Sequence, residues 1–131
     1  MICQVRPDVQ AVIHAHSPWM TLLMLNELPF LPISAEAAFI GEKIPVVPFI
    51  MPGTPELAGA VQSAIGDGQV VYMQNHGVVV AGSSLRNAAN LLEVLERSAM
   101  LLVWSHVTGK KPRLIPKDMI KSFGDIGKMI S

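Results

Sequence analysis

The 131 residues suit one domain with a real hydrophobic core, yet 50% are hydrophobic and only 15% charged, against roughly 25% charged in ordinary domains. That shortage of polar surface points to burial in an oligomer or against a further segment. Ten basic and ten acidic residues balance to zero, so no basic face is available to neutralise phosphates, and nucleic acid is excluded as a partner. A lone Cys3 rules out an internal disulfide and fits a reducing compartment. The first residues hold no apolar leader, and the apolar stretch Ala99 to Trp104 is far short of a membrane helix. A soluble cytoplasmic protein without membrane contact is expected.

Arg6-Pro7-Asp8 reads as a turn, and Val9 to His16 as a strand on which His14 and His16 share one face. Ser17-Pro18 starts a helix, Ser17 as N-cap, with Met20, Leu23 and Met24 as its apolar stripe. Ser34 can cap a short helix over Ala35 to Ala38. Ile44 to Phe49 is strand-like, but Pro45 and Pro48 push it to an edge or a bulge. Thr54-Pro55-Glu56 opens a helix that Gly66 and Gly68 end.

Gln69 to Gln74 and Val78 to Ala81 read as strands joined by the tight connection Asn75-His76-Gly77, where glycine permits a left-handed backbone. Ser83 or Ser84 caps the longest helix, whose apolar positions run from Leu85 to Val103 and which Gly109 stops. The tail from Pro116, within residues 113–131, is weakly helical and loosely held. The order β-α-β-α-β-β-α predicts a single α/β domain over residues 1–131, with a mixed sheet covered by helices.

Three of the four histidines lie where chemistry is possible. Side chains at i and i+2 of a strand point the same way, so His14 and His16 can reach one ion at ~2.1 Å each. His76, from a second strand end, would complete a set of three that leaves a coordination position open, the mark of a catalytic rather than a structural metal site. The alternatives are a chance His-x-His and an ordinary turn histidine. Asn75 either orients His76 by a hydrogen bond or simply satisfies the turn. His106, late in the long helix, reads as a boundary residue without chemistry.

His14-Ala15-His16-Ser17-Pro18-Trp19 resembles the His-x-His metal motif of the class II aldolase/adducin family. Gln74-Asn75-His76-Gly77-Val78 resembles the same family's His-Gly motif, about 60 residues further on. Between them, Ile44-Pro45-Val46-Val47-Pro48 and Pro52-Gly53-Thr54-Pro55-Glu56-Leu57 resemble its strand, turn and following helix. The resemblance runs from about Val5 to Pro112. It implies a three-layer α/β/α sandwich around a mixed, largely antiparallel sheet, usually in a homotetramer. It implies Zn2+, or another divalent ion such as Mn2+ or Co2+, held by His14, His16 and His76. Such an ion acts as a Lewis acid on a small sugar phosphate or related hydroxy-carbonyl compound and stabilises an enediolate.

The chain also departs from that pattern. The family carries an N-terminal portion with a phosphate-binding loop and an acidic residue, and nothing here occupies those positions, so the domain reads as N-terminally truncated. The tyrosine expected near Ile33 is absent, and the only tyrosine, Tyr72, reads as core. Glu36 and Glu42 are the nearest replacement carboxylates, or else plain surface acids. A non-catalytic adducin-like assembly module, or an inactive fragment, is the alternative to a metal-dependent lyase.

Overall fold

The computed structural model describes residues 2–41 and 43–130, the last seven as backbone only. The elements in chain order are α1 (Ile2–Val5), β1 (Ala11–Ala15), α2 (Pro18–Leu25), α3 (Ala35–Ile40), β2 (Val46–Val47), α4 (Pro55–Ile65), β3 (Val70–Met73), β4 (Gly77–Gly82), α5 (Leu85–Val107) and α6 (Lys117–Ile130).

Four strands form one mixed sheet in the order β1-β4-β3-β2. β4 pairs antiparallel with both β1 and β3, and β2 pairs parallel with β3. β3 and β4 are buried on both faces, which their near-continuous run of valines suits. Alternation along them feeds two cores. Val70, Tyr72, Val78 and Val80 pack with Met20, Leu23, Leu95 and Ala99 of α2 and α5. Val71, Met73, Val79 and Ala81 pack with Ile2 of α1 and with Leu57, Val61 and Ile65 of α4. Helices therefore cover both faces, giving the three layers the resemblance implies.

β2 is only two residues long and lies at the sheet edge, as Pro45 and Pro48 require. The carbonyls of Pro45 and Val47 accept from Tyr72 N–H and Gln74 N–H, each at 2.9 Å, while the proline nitrogens, which have no hydrogen to donate, are spared the ladder. Ser34, Thr54 and Ser84 cap their helices, accepting from Ala37, Leu57 and Asn87 N–H at 3.1, 3.2 and 3.0 Å. Ser17 does not behave as expected: its side chain makes no capping bond. α1 was not anticipated. The tail forms α6 against α3, with Ile120 buried and the Phe39 and Phe123 rings edge to face at 5.3 Å.

The β3–β4 connection corrects a detail. The left-handed residue is Asn75, at φ 58°, and not Gly77. Asn is among the few residues that tolerate this conformation. Gly77 is needed for space: a Cβ there would overlap the Ala15 carbonyl oxygen and come within 3.0 Å of His16 Cδ2. Gly77→Ala is expected to cost about 1–3 kcal/mol, because backbone and not a flexible side chain must give way. Urea denaturation measures this, and an unchanged midpoint would show that the strands separate freely here.

Candidate metal centre

The sheet delivers the three histidines to one place. β1 runs antiparallel to β4 with Ala15 opposite Val78, so the end of β1 meets the start of β4. His14 and His16 project from one side of that end, and the β3–β4 turn sets His76 beside them. The ring centroids lie 4.9 Å apart for His14–His16, 4.8 Å for His14–His76 and 5.2 Å for His16–His76. One nitrogen from each ring falls within 4.8 Å of the others. Nitrogens ~2.1 Å from a shared ion lie at most ~4.2 Å apart, so small ring rotations suffice to close the set.

The hydrogen bonding of the rings suits a cation. His14 donates from Nδ1 to the Val78 carbonyl at 2.9 Å. A carbonyl can only accept, so the proton is on Nδ1 and the Nε2 lone pair is free for a ligand. His76 Nδ1 is buried with no hydrogen-bond partner, a situation that costs about 1–3 kcal/mol unless something outside the chain satisfies it. Burial, and then the neighbouring His14 and His16, hold the His76 pKa below its ordinary 6.5, favouring the neutral ring that ligation needs.

That depression has a sign for stability. Between the depressed pKa and 6.5 the unfolded chain binds more protons at this residue than the folded one, so folding is disfavoured as pH falls through that window. The metal-free protein is expected to lose thermal stability as pH is lowered below about 6.5, and His76→Ala to flatten part of that slope. Thermal midpoints of both proteins across pH check this; identical slopes would remove His76 from the account.

His14 and His76 border a groove of about 940 Å³ between the sheet and α4. Ile2, Val12, Leu57, Val61 and Met73 make it apolar, and no charged residue lines it among those described. Glu36 is not brought to the site. It is exposed in the first turn of α3, whose buried Ala37 belongs to the core on the opposite face of the sheet. Glu42 lies outside the described residues. Among the described residues no carboxylate joins the three histidines. Tyr72 is fully buried in the core, as expected. Sequence reasoning passed over Glu96, whose carboxylate accepts from Trp19 N–H at 3.1 Å and Met20 N–H at 2.9 Å, directly beyond His16.

Residues 1–103 match the family model of the class II aldolase and adducin N-terminal domain. The chain is 33% identical over 130 residues to a 3-oxo-tetronate 4-phosphate decarboxylase of Haemophilus influenzae, covering 93% of this chain and 60% of the relative. It is 30% identical over 119 residues to a 5-deoxy-D-ribulose 1-phosphate aldolase of Bacillus thuringiensis, covering 89% and 54%. A solved L-fuculose 1-phosphate aldolase superposes with a TM-score of 0.84 at 28% identity, over 96% of this chain and 59% of that one. The chain thus spans about half to three-fifths of the length of these relatives. With residues 1–103 matching the family model and the sheet and helical layers matching a solved member, the chain belongs to the class II aldolase and adducin family.

Proposed function

We propose that this chain is the metal-binding part of a lyase that acts on a small phosphorylated hydroxy-carbonyl compound, with His14, His16 and His76 as ligands to Zn2+, Mn2+ or Co2+. The observation that carries the reading is the convergence of three imidazoles, one nitrogen from each lying within 4.8 Å of the others. The decarboxylase and aldolase relatives act, by their names, on sugar phosphates, which supports the substrate class.

A divalent ion held there would supply Lewis-acid polarisation of neighbouring carbonyl and hydroxyl oxygens. The chain's own residues do the rest of what is available here. The Val78 carbonyl fixes the tautomer and aim of His14. The depressed pKa of His76 keeps its ring neutral. What the described residues do not bring is a proton-transferring carboxylate or a cation for a phosphate. The missing carboxylate is also what favours the second reading, an assembly module that keeps the fold without the chemistry.

A homo-oligomer, and on the family's pattern a tetramer, completes the proposal. Leu101, Trp104 and Val107 of α5 and Leu22 and Leu25 of α2 are exposed apolar residues that suit a subunit contact. Light scattering at micromolar concentration is expected to give a mass above that of one chain; a monodisperse monomer would contradict it. Stoichiometric binding of zinc by the purified chain, followed by turnover on a panel of ketose phosphates, tests the lyase reading. Firm binding supports it over the assembly module.

A further inference from the structure

We infer that Glu96 is a positioning residue: its carboxylate, reaching from the middle of α5, fixes where α2 begins and thereby where His16 stands. The inference rests on the metal-site reading and extends it to a residue 80 positions away in the chain.

The first N–H groups of a helix have no partner within it. In α2, Pro18 has no N–H, and Thr21 N–H already bonds the Ser17 carbonyl at 2.9 Å. Trp19 and Met20 are left. Ser17 stands in the capping position but makes no side-chain cap bond. Glu96 supplies both missing acceptors, Oε2 to Trp19 and Oε1 to Met20. An ionised carboxylate at a helix N-terminus gains from the helix dipole as well as from charge-assisted hydrogen bonds. Among the described residues Glu96 has no salt-bridge partner; the described ion pair is Arg6 with Asp8. Its charge is met by the end of α2.

His16 lies two residues before Pro18. Its ring makes no hydrogen bond among the described residues, unlike that of His14, so its aim depends on where the backbone puts it. On one side that backbone is set by the Ala15–Val78 pairing. On the other it is set by the first turn of α2, which a local serine would ordinarily hold and which α5 holds here. Loss of the carboxylate leaves two N–H groups without acceptors and frees the segment carrying His16. Supports of this kind are commonly worth about 10- to 100-fold in metal affinity.

The test uses the full chain as wild type, Glu96→Ala, Glu96→Gln and, as a core control, Leu95→Ala. Co2+ titration followed by visible absorption reads metal affinity. Amide exchange at Trp19 and Met20 and the ring resonances of the three histidines, all without metal, read position. Glu96→Ala is expected to weaken Co2+ binding about tenfold or more, to speed exchange at both amides, and to shift the His16 ring while leaving His14 and His76. Glu96→Gln keeps one acceptor oxygen and is expected to recover much of the affinity; it also serves if the alanine variant does not fold. Leu95→Ala should lower thermal stability without moving the affinity of the folded protein. Wild-type affinity and an unmoved His16 ring in folded Glu96→Ala would overturn the inference, as would equal weakening by Leu95→Ala. A wild-type chain that binds no Co2+ overturns the metal-site reading instead, and the exchange and His16 readouts then decide the role of Glu96 alone.

Discussion

Alanine at His14, His16 or His76 is expected to weaken zinc binding by about 100-fold for each single change. Structural zinc sites contribute roughly 10–16 kcal/mol, so one of three or four ligands carries about 3 kcal/mol, which is about a 100-fold change in affinity. Little stability should be lost without metal at His14 and His16, whose side chains are exposed. His76→Ala removes a buried nitrogen that has no partner, so it should cost no more. His106→Ala is the control. It lies in the last turn of α5, outside the cluster, and should leave affinity unchanged. Calorimetric titration separates these outcomes. Wild-type affinity in all three variants would place the ion elsewhere.

The second large effect concerns rate. Zinc-loaded, the chain is expected to turn over ketose phosphates about 10²–10⁴-fold more slowly than a longer relative such as an L-fuculose phosphate aldolase. That is the span a positioned acid or base supplies, and no carboxylate joins the histidines among the described residues. Nor does any lysine or arginine line the groove among them to anchor a phosphate. Cleavage and decarboxylation assays, run on the chain and on the relative, measure the gap. Equal turnover would mean that the acid or base lies within these 131 residues, and Glu36 would be the first to replace, reached through a neighbouring chain.

Much of the site was legible because strand geometry is local. The i, i+2 spacing of His14 and His16 and the turn around His76 predicted one cluster, and the rings meet within about 5 Å. The helix caps at Ser34, Thr54 and Ser84 were legible for the same reason, since a cap and the N–H that donates to it lie within one turn. What depended on distant contacts was misread or missed. Ser17 carried the right residue type for a cap, but a carboxylate on α5 had taken the role. A signal was present: Glu96 falls four residues after Leu92 and three before Ala99, on the apolar stripe of α5 where an acid needs a partner. Gly77 was read as a glycine of conformation. Its real constraint, the approach of Ala15 and His16, is visible only once β1 is laid beside β4.

The most direct test of the central claim is anomalous diffraction from crystals grown with zinc. The account predicts one ion per chain, with a nitrogen of His14, His16 and His76 each ~2.1 Å away. An ion bound at other side chains, or a fully zinc-saturated crystal whose three rings keep their metal-free spacing around no density, would contradict it.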